Sequence, residues 1–206
     1  MNVAKPKTRI QERNRRTILE AALEVFSSQG FRGATLDEIA ATAGLSKPNL
    51  LYYFASKEAI HVTLLTGLMD TWLDPLRALN GDGDPRQEIL AYVRRKLEMS
   101  RDYPRESRLF ANEILRGAPH IDAVLQGELK ALVDEKARMI EAWSQRGLIS
   151  PVHARHLIFS IWALTQHYAD FDTQVRAVLG PDEPDPFPEA ERYLEMLFSR
   201  LLGPGD

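Results

Sequence analysis

Apolar residues recur at helical spacing along most of the chain, and no segment shows a convincing period-two alternation. Ile18, Ala22, Val25 and Phe26 share one face of a first helix that should end near Gly30. Thr35-Leu36-Asp37-Glu38 has the form of a capping box. The Thr35 hydroxyl can take a free backbone N–H, and Glu38 can reach back. A short helix to about Thr42 follows, and Gly44 turns the chain. Ser46 suits the N-cap of a second short helix, with Pro48 in its first turn, where a missing N–H does little harm. Ser56 caps a longer helix with Ile60, Leu64, Leu68 and Trp72 on one face, and Pro75 should kink or end it.

Beyond it, Asn80 to Pro85 is a loop, with Asp84 as N-cap and Pro85 at the first helical position of a helix to about Asp102. Pro104 restarts the chain, and Gly117-Ala118-Pro119 breaks it. A long helix should then run to Gly147, and another from Ser150-Pro151 to Gly180-Pro181. The Pro/acid run from Pro181 to Pro188 is a linker, and a last helix covers about Phe187–Leu202. The predicted fold is all-α, about nine helices without a sheet.

Charge distribution adds a second observation. The whole chain carries −3, but residues 1–57 hold nine Lys/Arg against five Asp/Glu, so that part is +4 and the rest −7. Lys5, Lys7, Arg9, Arg13, Arg15 and Arg16 crowd the first sixteen positions, opposed only by Glu12. A basic amino-terminal part on an acidic body suggests two jobs in one chain; a solubilising tail is the plainer alternative. The absence of cysteine excludes disulfides, thiolate metal sites and a cysteine nucleophile. Without a signal-like run or a membrane-length apolar stretch, a cytoplasmic location is expected.

The helices at 35–42 and 46–52, joined through Gly44, have helix-turn-helix spacing, a unit whose second helix enters the major groove. Helix pairs so spaced also occur in proteins that bind no DNA. Ser46, Lys47, Asn49 and Tyr53 can offer polar atoms on the exposed face of the second helix. Lys57, with the free N–H groups above Ser56, could hold a phosphate at the next helix start. Leu50, Leu51 and Phe54 should pack against Ile18, Phe26 and Ile39. Tyr52 is open between a core role with a wet hydroxyl and a phosphate contact.

The run Thr35, Leu36, Ile39, Ala40, Ala43, Gly44, Ser46, Leu51, Tyr52, Tyr53, Phe54 and Lys57 resembles the TetR family of bacterial repressors over residues 14–60. The likeness joins spacing, capping and aromatic positions. It implies an all-α homodimer. The amino-terminal unit (1–55) would bind a palindromic operator through Thr35, Ser46, Lys47, Asn49, Tyr52, Tyr53 and Lys57, and the body (56–206) would sense a small molecule.

In the body, Leu157, Ile161, Leu164, Tyr168, Phe171, Val175 and Val178 form one helical seam. Phe187, Ala190, Leu194, Leu197, Phe198 and Leu201 form another. Two such seams could build a four-helix interface between two chains, through about 151–179 and 187–202, or fill the monomer's own core. A second face of the first of these helices carries Ile158, Trp162, Gln166 and Ala169. A primary amide amid apolar neighbours needs a partner or costs about 1–3 kcal/mol in desolvation. With Trp72 on another helix, the amide of Gln166 could serve the N–H/C=O edge of a flat polar ring. A satisfied core glutamine and a packing tryptophan are the alternative.

Segments 46–54, 101–104, 129–136 and 162–171 are similar to the pyrimidine-utilisation regulators within the TetR family. That likeness implies uracil or thymine as effector and Trp72 and Gln166 as effector contacts, with Phe110, Asn112, Trp162 and Tyr168 as further candidates; no cofactor is expected. Pro48 and the Phe110–Glu113 segment depart from the pattern. An enzyme is the rival class: His153 and His156 have i,i+3 spacing, but no carboxylate sits at a step that completes a metal site, and no nucleophile accompanies His167 and Asp170. Neither metal nor catalytic residues are therefore expected. An interaction-only helical module is the third.

Overall fold

The computed structural model describes residues 9–181 and 185–203. Lys5 and Lys7 of the basic arm, and the centre of the Pro/acid linker, lie outside the described residues. Among those described, secondary structure is helical and no strand occurs, as the periodicity predicts.

The first helix, α1 (Arg9–Gly33), breaks at Gly30, where φ is 70° and ψ 170°, and ends one turn later. A side chain at Gly30 would be strained in that left-handed backbone, and its Cβ would come within 3.1 Å of the Arg116 guanidinium. The Thr35 capping box opens α2 (Leu36–Thr42) as predicted, and the Ser46 hydroxyl caps α3 (Lys47–Tyr53). Ser56 caps α4 (Lys57–Arg77) through the amide of Ala59. Pro75 sits inside the last turn of α4 and the helix ends two residues later. The buried face of α4 is Ile60, His61, Leu65, Met69, Trp72, Leu73 and Leu76; Leu64 and Leu68, expected on that face, are half-buried at its edge.

Asp84 caps α5 (Pro85–Asp102), and α6 (Pro104–Leu115) follows after Tyr103. The long helix expected after Pro119 is interrupted. A three-residue turn, α7 (Asp122–Val124), passes through a π-helical stretch, Leu125–Leu129, into α8 (Lys130–Gln145). The next predicted helix is likewise divided, at Phe171, into α9 (Ala154–Asp170) and α10 (Asp172–Leu179), and it starts later than Pro151. The last helix is α11 (Phe187–Leu201).

At the centre of the body α5 packs against both α9 and α11, while α1 lies on α6 and α8 on α9. This packing divides the two seams between an inner and an outer side. Leu157 and Ile161 of α9, and Ala190, Leu194 and Phe198 of α11, are buried within the chain itself, with Ile89, Val93 and Leu97 of α5 in the same core. Burying such a side chain is worth about 1.5–3 kcal/mol, so the intrachain contact takes the inner half of each seam. The large apolar side chains that remain outward along these seams include Phe159, Phe171, Val178, Tyr193, Met196 and Leu201.

Candidate nucleic-acid interface and effector pocket

The turn between α2 and α3 is built by Gly44 at φ 68°, a left-handed position that a side chain would strain. Leu50 and Phe54 turn inward to join Ile18, Phe26 and Ile39 in one core. Leu51 does not: it is 40% exposed and lies on the outer side of α3, contrary to its expected packing role. A seven-residue helix has one inward face, and Leu50 occupies it. Ser46, Lys47, Pro48, Asn49, Leu51 and Tyr52 form the outer surface, and Tyr52 is 71% exposed.

The hydroxyls of Thr35 and Ser46 are engaged as caps on the amides of Glu38 and Asn49. Lys47 pairs with Asp37 at 2.8 Å on the surface. Such exposed pairs contribute about 0–1 kcal/mol, so a phosphate can compete with Asp37 for the ammonium. Lys57 is placed otherwise. Its ammonium donates to the carbonyls of Phe31 and Ala34 at 2.7 and 2.6 Å and lies 4.6 Å from the centre of the Phe31 ring. It ties the start of α4 to the end of α1.

Three α1 residues hold α3 from the other side. Gln11 donates to the Tyr52 hydroxyl at 3.2 Å and Asn14 to the Tyr53 hydroxyl at 2.9 Å. Arg15 donates to the Tyr53 carbonyl at 3.2 Å and lies 4.0 Å over the Phe54 ring. In the sequence Arg15 reads only as one charge in a basic run; its contact with Phe54 crosses 39 positions of chain and leaves no local signal.

The effector candidates separate into four places. Phe110 and Asn112 of α6 and Gln166 of α9 do come together, lining an open groove of about 360 Å³ with Arg108, Asp170 and Phe171. Tyr168 lies instead in a second groove of about 400 Å³, with Val175 and Tyr193. Trp162 is half-buried and engaged with α5, donating from Nε1 to the Tyr92 hydroxyl at 2.6 Å. Burial raises the Tyr92 phenol well above its ordinary range, and the Trp162 hydrogen bond only partly offsets that.

Trp72 is buried, and its indole N–H has no hydrogen-bond partner in the protein. The Lys96 ammonium stands 5.2 Å from the centre of its ring, and Tyr103 meets it edge-on at 6.3 Å. Lys96 is only 2% exposed, and burial lowers its pKa to about 7 against the attraction of Asp170. Burial raises the Asp170 carboxyl in turn, while a 2.6 Å hydrogen bond from Ser107 and nearby cations favour its ionised form. Asp170 thus lines the groove of Gln166 and acts electrostatically on Lys96. Sequence reasoning missed Lys96 and Ser107. The signal for Lys96 was a lysine in step with Ile89, Tyr92, Val93 and Ser100 on the buried face of α5.

A capped helix-turn-helix on a helical body defines the class of a DNA-binding regulator. The chain belongs to the TetR family of bacterial regulatory proteins, whose amino-terminal signature matches residues 18–62 and whose YcdC-like carboxy-terminal region matches residues 65–204. It is 51% identical over 174 residues to the HTH-type transcriptional regulator RutR of Escherichia coli, covering 84% of this chain and 82% of the relative. It is also 30% identical over 159 residues to the HTH-type transcriptional repressor NicS of Pseudomonas putida, covering 73% and 74%. The fold is similar to that of a tetR-family regulatory protein from Rhodococcus, with a TM-score of 0.75 at 22% identity over 94% of this chain and 98% of that one. AibR, solved in complex with isovaleryl coenzyme A and operator DNA, shares the fold with a TM-score of 0.71 at 21% identity over 93% and 99%. The protein is therefore a DNA-binding transcriptional regulator, and its relatives are regulators rather than enzymes. None of its described helices is long and apolar enough to cross a membrane.

Proposed function

We propose that the protein is a pyrimidine-responsive repressor: a homodimer whose operator binding is relieved by uracil or thymine. The supporting observation is the unpartnered indole N–H of Trp72 beside the buried Lys96, whose ammonium is attracted by the half-buried Asp170. A buried donor without an acceptor costs about 1–3 kcal/mol, and a ring carbonyl would satisfy it. A pyrimidine offers carbonyl acceptors and an N–H on one flat edge, complementary to an ammonium, a carboxyl and the amide of Gln166. The identity to RutR, and the likeness to pyrimidine-utilisation regulators in the segment holding Gln166, support the same ligand. The larger groove, at Tyr168, has no comparable buried ionic groups along it.

Residues 1–55 form the operator-binding unit in this reading, and residues 56–206 the effector and dimer unit. The outer face of α3, with Lys47, Asn49 and Tyr52, meets bases and phosphates; Tyr53, Thr35 and Ser46 support it from behind and at the caps. Lys57 acts through the joint of α4 with α1. The outward apolar residues of α9 and α11 form the dimer contact, which sets the two recognition helices about 34–36 Å apart. Trp72 and Lys57 are on one helix, so a ligand that displaces the Trp72 end of α4 moves the DNA-binding unit with it. A coupling of about 1–3 kcal/mol gives 5- to 150-fold regulation.

The test is operator affinity by fluorescence anisotropy, using a duplex selected from a random library. Uracil or thymine should weaken binding at least about fivefold. No change with either base at millimolar concentration would remove the pyrimidine assignment and leave a TetR-type repressor of another small molecule. Failure to select any duplex would remove the operator-binding reading itself.

A further inference from the structure

At the joint between the DNA-binding unit and the body, three side chains far apart in sequence meet. His61 lies in the first turns of α4, Glu113 near the end of α6, and His120 in the loop that follows. One His61 ring nitrogen, Nε2, is 3.2 Å from Oε2 of Glu113, and Nδ1 of His120 is 3.1 Å from the same oxygen. One donor atom from each of the three residues falls within 4.8 Å of the other two. His61 and Glu113 are 2% and 3% exposed, while His120 is partly open to solvent.

The loop is shaped to bring His120 there. Gly117 and Ala118 both have positive φ, 86° and 55°, and Ala118 is the one non-glycine residue so placed among those described. The backbone N–H of His120 also donates to Oε1 of Glu113 at 2.7 Å, which orients the carboxylate. Phe26 and Phe31 of α1 wall the cluster, with ring centres 4.9 and 4.7 Å from that of His61.

We propose that His61, Glu113 and His120 form a binding site for a divalent transition metal of the zinc class, bridging α4 to the body. Two imidazoles and one carboxylate are a donor set that suits zinc, with a fourth position left for water or an anion. Ligands held tetrahedrally at about 2.0–2.1 Å lie about 3.4 Å apart, so two edges of the site are already close to the required length. The third edge closes as both rings turn toward the ion. Binding transfers the His61 proton to Nδ1 and the His120 proton to Nε2, leaving both rings neutral. Nδ1 of His61 is buried and makes no hydrogen bond, so this change of tautomer breaks none there. The guanidinium of Arg116, beside Gly30, is a cation already at this joint and favours an anionic fourth ligand. Since His61 heads the helix that carries Trp72, the ion would stiffen the same connection that effector signalling uses. The site itself stands without the pyrimidine reading.

The full-length protein, stripped with chelator and dialysed, is titrated with zinc chloride by calorimetry, and bound zinc is counted by mass spectrometry. One zinc per chain is expected. His120→Ala and Glu113→Gln should each weaken it by more than about 100-fold, beyond the loss typical of a supporting residue. His153→Ala is the control: the rings of the surface pair His153 and His156 are 4.4 Å apart and could take up zinc by themselves. Cobalt bound to the wild type should show the visible absorption of a tetrahedral site, a readout that does not depend on any variant folding. No bound zinc, zinc retained in His120→Ala, zinc lost in His153→Ala, or an octahedral cobalt spectrum would each overturn the proposal.

Discussion

Asn14 donates a hydrogen bond to the hydroxyl of Tyr53 at 2.9 Å, joining the first helix to the second helix of the helix-turn-helix. The bond is part-buried, where its net worth is about 0.5–1.5 kcal/mol. Asn14→Ala and Tyr53→Phe should therefore lower stability by about 1 kcal/mol each in urea unfolding. Their double variant should lose little more, because they remove one bond. Operator affinity should fall in parallel for both single variants. Additive losses would mean that Tyr53 meets DNA directly.

Lys47 and Lys57 should separate by salt dependence. Lys47→Ala is expected to change stability by less than about 1 kcal/mol, since its pair with Asp37 is exposed. It should reduce the slope of log affinity against log salt by about one, as the loss of a phosphate contact does. Lys57→Met removes two charge-assisted hydrogen bonds to carbonyls and should cost about 2–4 kcal/mol in stability with the slope unchanged. The opposite pattern would assign the phosphate contact to Lys57.

Lys96 has a pKa lowered to about 7 in the folded chain, against about 10.4 for an unfolded lysine. Between those values the unfolded chain binds the extra proton, so this residue makes stability rise with pH across that window. Lys96→Met removes the penalty. It should stabilise the protein by a few kcal/mol at pH 6, on the order of one pKa unit per 1.4 kcal/mol, with the gain vanishing towards pH 10. A gain independent of pH would show that Lys96 is charged when folded.

Trp72 and Trp162 should behave differently. Trp72→Phe keeps an aromatic plane and removes the unpartnered N–H, so effector response should fall at least about tenfold while operator binding without effector is retained. Tyr92→Phe leaves the Trp162 N–H without its acceptor and should cost about 1–3 kcal/mol in stability. The concentration of effector giving half-release should stay the same.

Local chemistry made much of this protein legible. Thr35 with Glu38, Ser46, Ser56 and Asp84 cap the helices they were expected to cap, because a cap is satisfied by an amide two or three residues away. The helix-turn-helix and the all-α class followed from those caps and from the apolar period. Which side of a seven-residue helix Leu51 takes was not legible, since so short a helix has no period to average over.

What only the tertiary structure decided depends on distance along the chain. Whether Leu194 and Phe198 meet a second chain or their own core is set by where α5 lies, and nothing near residue 194 records that. His61, Glu113 and His120 are separated by 52 and 7 positions, with no repeat to connect them. Lys57 finds its carbonyls more than twenty residues back, and Lys96 its buried place beside Trp72 on another helix. Sequence by itself determined the elements and their caps, whose energies are settled within a few residues. Packing determined which polar groups are left without partners, because burial belongs to the assembled helices and not to any one of them.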